Sequence, residues 1–386
     1  MKILIIANSI VGAEPGVTGG ESRFIELAKC WTKKGYEIHL MSGKGGKVLC
    51  EKMGLPVILH NISNSNGVGR VEISSRFFKM LFHLPGLLSS FKEGIVYSGS
   101  EQVYDVLPGF FLKLLRPSKI KLGVVTHWLP PVLFWKRRNS NFLYSLMFLL
   151  SERLGLFFAN LNADVLLPVS EDTLHDLRTS IFNRRPAHFV LCGVNLEEID
   201  LFGAAMEKKY DAVFMKRLQR TKGILDLVEV WGELVKTRPE GKLLVIGEGI
   251  DGGEARKMSA EKGLEKNIEF AGVVYDPSVK FKMLAGSKIF ILPSYEENWA
   301  IVIGEAMAVG IPVVCYDLKE LRAVWEDNAI YAKIGDKKDL LDKVTGLLES
   351  DVERAKMAQK AKEFVKKYSW SKIADTELSL ILSPNP

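Results

Sequence analysis

The chain has 386 residues, 47% hydrophobic and 25% charged, with a net charge of +6, an ordinary soluble composition and a length that predicts two domains with a large core. Its four cysteines, Cys30, Cys50, Cys192 and Cys315, stand far apart with no C-x2-C pair, which excludes a disulfide framework or a zinc knuckle and fits a reducing compartment. The apolar run at 3–7 is shorter than a signal-peptide core, and the longest uncharged apolar run, 139–151, is too short for a bilayer, so the chain is expected not to cross membranes.

From the N-terminus, apolar runs alternate with amphipathic stretches: a strand at 3–7, a helix near 21–34, strands at 37–41 and 57–60, a helix near 72–91, a strand at 94–98, a helix, and strands at 120–126 and 164–169. This order predicts a parallel α/β domain. Cys192-Gly193-Val194-Asn195 reads as the end of a strand, and the polar, Gly-containing segment 195–209 lacks periodicity and reads as a connection. A second series runs strand 211–215, helix 223–236, strand 242–247, helix 253–263, strand 267–271 and helix 277–286. Over 289–315 a buried strand, a polar loop, a short helix and a second buried strand follow, completing a second doubly wound domain. Domains are therefore expected at 1–202 and 203–369, with a last helix from Trp370 after the Ser369 cap.

The charge is uneven. Residues 1–200 hold 23 Lys and Arg against 17 Asp and Glu, whereas 201–386 hold 29 against 29. A basic half suits nucleic acid, anionic lipid or a phosphorylated substrate, and no helix-turn-helix, zinc-finger or RRM-type motif favours the first.

The loop over 293–300 follows a strand's carboxyl end, where open α/β sheets bind ligands, and the helix after it turns its free N–H groups back toward that loop. Glu297 and Glu305 flank the helix start, and paired carboxylates suit vicinal hydroxyls. Spacing alone is equally consistent with two solvated glutamates. Pro293-Ser294, Glu297 and then Glu305 leading into Ala306-Met307-Ala308-Val309-Gly310-Ile311-Pro312-Val313-Val314 resemble the E-x7-E signature of the family-4 (group 1) retaining glycosyltransferases. The resemblance implies the GT-B fold, two Rossmann-like domains facing across a cleft, with the helix at 370–386 completing the N-terminal, acceptor-side domain and 203–369 binding the nucleotide sugar. The usual Gly-Phe-Gly after the first glutamate is Asn298-Trp299-Ala300 here, which bears on the loop's backbone freedom and on the sugar accepted.

Other stretches gain meaning from the same resemblance. Gly19-Gly20-Glu21-Ser22-Arg23 opens a helix and is similar to the family's Gly-Gly-x-x-Arg loop, implying a diphosphate contact at Gly19 and Gly20. Lys216-Arg217-Leu218-Gln219-Arg220-Thr221-Lys222-Gly223 is similar to Gly-Arg-Leu-x-x-x-Lys-Gly, with Lys216 in place of the glycine; Arg217 and Lys222 fall on phosphate-binding positions, where fixed cations stabilise a departing nucleoside diphosphate. His127 matches a histidine that touches the donor sugar. Gly247-Glu248-Gly249-Ile250-Asp251-Gly252 is a literal G-x-G-x-x-G, the fingerprint of a dinucleotide oxidoreductase, but it follows the second strand of its domain rather than the first. The resemblance instead implies that Gly247, Val273 and Val274 lie beside the donor nucleotide, with Asn298, Trp299, Ala300, Ile301 and Glu305 completing that site and Glu305 on the ribose.

No D-x-D, H-E-x-x-H, G-x-S-x-G or P-loop lysine motif occurs, which argues against a metal-clamped phosphate, a metalloprotease, an esterase and a kinase. No metal or other cofactor is expected. The sequence is thus read as a retaining, metal-independent glycosyltransferase that moves a hexose from a UDP or GDP sugar to a hydroxyl, with Glu297, His127, Arg217 and Lys222 as catalytic candidates. A nucleotide-sugar epimerase of similar fold and a transferase with a soluble acceptor are the alternatives. Basic and large apolar residues interleave around Arg76-Phe77-Phe78-Lys79 and around Lys136-Arg137-Arg138, a pattern suited to anionic lipid as well as to buried helix faces. The expected setting is the cytoplasm, docked peripherally on the cytosolic membrane face through Arg76, Lys79, Lys136, Arg137 and Arg138, with a glycan or lipid-linked acceptor and no nucleic-acid partner.

Overall fold

The computed structural model describes residues 1–8, 18–64, 70–127, 129, 142–202 and 206–383. The chain divides into two compact units, Met1–Cys192 with Trp370–Pro386, and Gly193–Ser369.

The first unit alternates strand and helix: β1 Lys2–Ile6, α1 Gly19–Lys33, β2 Glu37–Gly43, α2 Lys44–Lys52, β3 Ile58–Ser63, α3 Arg70–Ser90, β4 Gly94–Ser98, α4 Val103–Leu115, β5 Ile120–Thr126, α5 Phe142–Asn162, β6 Val165–Pro168 and α6 Glu171–Thr179. Among the described residues the strands form one parallel sheet in the order β3-β2-β1-β4-β5-β6. Both faces of its centre are covered, so Ile3, Leu4, Ile5 and Ile6 are wholly buried, which is why β1 reads as a continuous apolar run. Chain order reverses between β1 and β4, the kind of place where open α/β sheets bind ligands.

The second unit repeats the plan with α7 Leu196–Phe202, β7 Tyr210–Met215, a 3-10 turn Arg220–Lys222, α8 Ile224–Thr237, β8 Leu243–Ile246, α9 Gly252–Glu261, β9 Ile268–Gly272, α10 Pro277–Ala285, β10 Ser287–Leu292, α11 Ile301–Val309, β11 Val313–Tyr316, α12 Lys319–Trp325, β12 Ile330–Ala332, α13 Lys337–Glu349 and α14 Asp351–Val365. Its sheet is parallel in the order β12-β11-β10-β7-β8-β9, reversing between β7 and β10. The division between units follows Cys192 rather than residue 202. The segment read as a connection begins with α7, a helix too short to show a period, and Val194 makes only an isolated bridge to Ser369 instead of ending a strand.

The last helix, α15 Trp370–Leu382, belongs to the first unit. Trp31 Nε1 donates to the Ala374 carbonyl at 3.1 Å, and the Arg23 guanidinium of α1 pairs with Glu377, whose other oxygen accepts from the Tyr97 hydroxyl at 2.9 Å. Arg23 is 3% exposed and Glu377 0%, so this ion pair is fully desolvated and needs each of its partners.

Candidate functional site

In the second unit the loops leaving β7 and β10 meet at the reversal point. Gly223, at φ +75°, makes this approach possible, because a Cβ there would sit 1.9 Å from the Pro293 carbonyl oxygen. The Tyr295 N–H donates to the Thr221 carbonyl at 2.9 Å and stitches the two loops together.

Side chains from both loops converge on Glu297. Its Oε2 accepts from Lys216 Nζ at 3.1 Å, and its Oε1 lies 3.2 Å from Lys222 Nζ and accepts from the Ser294 hydroxyl at 3.0 Å. Burial alone would raise the Glu297 carboxyl, but Lys216 and Lys222 outweigh it and hold the group below its ordinary value, so it is a carboxylate. Burial pulls Lys222 down, and its ammonium also donates to the Glu296 carbonyl at 2.6 Å. Arg217 leaves the same loop half-buried, and among the described residues its guanidinium has no hydrogen-bond or ion-pair partner. Two cations thus share one carboxylate, and a third is left for an external anion.

Glu305, 7% exposed on α11, pairs with Lys280 Nζ of α10 at 2.7 Å. Gly247 follows β8 at φ +132°, where a Cβ would fall 2.1 Å from the Lys216 carbonyl oxygen, so this glycine lets the β8 loop press on the basic loop. Val273 and Val274 follow β9 half-buried, Asn298 is exposed and Ile301 opens α11 half-buried. Trp299 is 5% exposed, packed on Trp325 and Tyr368 at centroid distances of 4.5 and 5.2 Å. Its indole is core, so of the binding residues expected in this loop Trp299 offers only its backbone. Ala300 takes the left-handed conformation at φ 53° where the resembling family has glycine, which costs about 1 kcal/mol. Ala300→Gly is expected to raise stability by roughly that amount, net of the glycine's extra freedom when unfolded, as a higher urea midpoint at unchanged slope.

In the first unit His127 follows β5. Its backbone N–H donates to Glu101 Oε2 at 2.9 Å, and its Nε2 lies 2.9 Å from the Gly99 carbonyl, which can only accept; Nε2 therefore carries the proton and Nδ1 keeps a lone pair with no partner among the described residues. Burial lowers the imidazole to about 4, so it is neutral at ordinary pH. Gly19 and Gly20 form the first turn of α1, whose Thr18 cap accepts from the Glu21 N–H while Glu21 accepts from the Thr18 N–H. Behind His127 burial raises Glu101 to about 7 and Glu152 to about 8. Both carboxyls hold protons more tightly folded than unfolded, so this pair favours the fold fully below about pH 4.5 and loses its contribution as pH rises through 7 and 8. Glu152→Gln should therefore flatten the fall in melting temperature between about pH 5 and 8, and an unchanged slope would refute the assignment.

Residues 197–364, nearly all of the second unit, match the family model described as glycosyl transferases group 1. The second unit therefore resembles the group 1 glycosyl transferases. It is 31% identical over 156 residues to a phosphatidyl-myo-inositol mannosyltransferase of Mycobacterium leprae, covering 40% of this chain and 41% of that one. It is 26% identical over 353 residues to a poly(ribitol-phosphate) alpha-N-acetylglucosaminyltransferase of Staphylococcus aureus, covering 87% and 66%. The chain thus spans between about two fifths and two thirds of the length of these curated relatives. The fold, two parallel six-stranded sheets, is shared with sucrose-phosphate synthase from Thermosynechococcus elongatus at a TM-score of 0.76, with 17% identity over 99% of this chain and 98% of that one. Anabaena HepE in complex with UDP and glucose matches at 0.71, with 18% identity over 99% and 100%.

Of the residues singled out from the sequence, Glu297, Lys222 and Arg217 lie on adjoining loops, Glu305 lies one helix turn farther along, and His127 and Gly19-Gly20 lie in the first unit. Sequence reading noted Lys216 only as a departure from the family pattern, and it did not single out Lys280. No spacing could pair either lysine with its glutamate, since each pair joins elements distant in sequence. Of the expected lipid contacts, Arg76 needs correction. Arg76 is 2% exposed, and its Nη1 donates to the Asn8 carbonyl at 2.9 Å because α3 lays it across the end of β1. Lys79 is half-buried and donates to the Ser63 hydroxyl at 3.2 Å. Lys136, Arg137 and Arg138 lie outside the described residues. Among those residues no helix is long and apolar enough to cross a membrane.

Proposed function

We propose that this chain is a hexosyltransferase that moves a sugar from a UDP or GDP sugar to a hydroxyl of a glycan or lipid-linked acceptor, with retention and without a metal. The observation that carries the reading is the Lys216–Glu297–Lys222 cluster at the β7/β10 reversal, beside Arg217, which has no partner among the described residues. Fixed cations there, with the N-terminus of α11, would hold the diphosphate and stabilise its charge as the glycosidic bond breaks, the task a divalent ion performs in other sites. Glu305 would accept from the ribose hydroxyls and Glu297 from those of the sugar. Neutral His127, with Nδ1 open, would act as a hydrogen-bond acceptor rather than as an acid. The alpha linkage in the name of the Staphylococcus relative is the one that retention from an alpha-linked nucleotide sugar produces. Acceptors that carry phosphate appear in both relatives' names, and the basic first half of this chain suits such an acceptor on an anionic membrane surface.

The test is transfer of radiolabelled sugar from UDP and GDP donors to lipid-linked and soluble acceptors, with and without EDTA. Transfer that persists in EDTA supports the reading. Loss of transfer on chelation and recovery with Mg²⁺ or Mn²⁺ would overturn the metal-free mechanism, and a product that is an altered nucleotide sugar would make the enzyme an epimerase. Glu305→Gln keeps the volume but loses a charged acceptor, so nucleotide affinity should weaken by about 1.5–3 kcal/mol by calorimetry, with the melting temperature close to the parent's.

A further inference from the structure

Helix α5 turns an apolar face to solvent. Each described residue of the helix that is exposed is apolar: Phe142, Met147, Leu150, Leu154, Phe157 and Leu161, between 44% and 56% exposed. From Met147 on they recur at spacings of three and four, which places them on one stripe along the helix. The inward side is fixed: Gly155 fits so close to α4 that a Cβ would lie 1.9 Å from the Glu101 carbonyl oxygen, and Phe158 packs on Phe110 at a centroid distance of 5.0 Å. The helix's charged residues are Glu152, which is buried, and Arg153, whose side chain is 32% exposed beside the stripe. A solvated helix carries polar groups on its outer face, and a contiguous apolar stripe marks a surface that something covers. Helix α3, which also packs on α4, adds Phe78 and Phe82 at 71% and 82% exposure.

The charge of the sequence on either side of α4 and before α5 selects the partner. Residues 70–153 contain 12 Lys and Arg against 5 Asp and Glu; three of those acids, Glu101, Asp105 and Glu152, are buried, as is Arg76 among the bases, and Lys113 and Lys121 lie against Asp164, which leaves the balance positive. Lys136-Arg137-Arg138 end only three residues before α5 begins. A second copy docked helix to helix about Leu154 would bring two Arg153 side chains together with no exposed carboxylate on either helix. An anionic lipid surface accepts both the apolar stripe and the positive charge.

We propose that the outer face of α5 lies in the interfacial layer of an anionic bilayer, parallel to its plane, with Leu150, Leu154 and Phe157 among the acyl chains. The stripe is then the part of the first unit that docks, and the bases steer it. This rests on the transferase reading only for the lipid-linked acceptor. Vesicle binding and sugar transfer to a soluble acceptor are separate measurements, so either can fail without the other.

The experiment is co-sedimentation of the full chain with vesicles of phosphatidylcholine alone and of equal parts phosphatidylcholine and phosphatidylglycerol. Binding should require phosphatidylglycerol, and the double substitution Leu150→Glu with Phe157→Glu should weaken it at least about tenfold, since two large apolar side chains leave the lipid. The neutral pair Leu150→Gln with Phe157→Gln should weaken it in the same direction and serves if the charged pair fails to fold. Transfer to a soluble acceptor should match the parent. Unchanged binding by the glutamine pair, or a parent that ignores phosphatidylglycerol vesicles at low salt, overturns the proposal. A parent dimer in sedimentation velocity that the glutamine pair converts to monomer also overturns it, by assigning the stripe to an interface between copies.

Discussion

Glu377→Ala is expected to lower the unfolding free energy of the first unit by about 3–5 kcal/mol, the cost of leaving a buried charge without its partner. Glu377 is 0% exposed and Arg23 is 3% exposed, so water cannot replace the lost carboxylate. Burial pushes the Glu377 carboxyl up, while Arg23 and the Tyr97 hydroxyl pull it back toward the ionised form. The loss should concern how α15 is held, because all of residues 193–369 intervene in sequence between α15 and the rest of its unit. Closing the loop onto the sheet then depends on this pair, on the Trp31 to Ala374 bond and on apolar contacts. Replacing both partners, Arg23→Met with Glu377→Leu, should restore most of the stability, since an apolar pair of similar volume leaves nothing charged behind. Urea unfolding checks both, as a midpoint far below the parent's for the single variant and near it for the double. A single variant within about 1 kcal/mol of the parent would show that the pair does not hold the helix.

Arg217→Ala is expected to lower kcat/KM by about 30- to 1000-fold, or 2–4 kcal/mol of transition-state stabilisation, by analogy with removing one donor from an oxyanion hole. Arg217 gives a cleaner measurement than its neighbours. Lys222 also holds Glu297 and the Glu296 carbonyl, and Lys216 holds Glu297, so removing either disturbs the loop as well as the charge. Arg217 has no partner among the described residues, so its loss should leave the melting temperature within experimental scatter while turnover collapses. Arg217→Lys should recover part of the rate, since the charge returns without the guanidinium fork. Full activity in Arg217→Ala would remove the cation from the site.

The alternation of apolar runs with amphipathic stretches determined two parallel α/β sheets, since strands buried on both faces read as unbroken Ile, Leu and Val and the helices between them do not. The same reading found the loop with Glu297 and the basic loop with Arg217 and Lys222, because a ligand site at the end of a parallel strand is local in sequence. Which cation meets which carboxylate was decided by strand order. Lys216 and Glu297 stand 81 positions apart and meet only because β7 and β10 are neighbours in the sheet. The arrangement of the N-terminal half was decided the same way. Arg76, beside two phenylalanines, and the apolar run of α5 both fit a lipid-facing pattern in sequence, yet α3 buries Arg76 against the end of β1 while α5 keeps its apolar stripe outside. An amphipathic period names a face of a helix but not its neighbour, and only packing on α4 decides which of the two faces meets water.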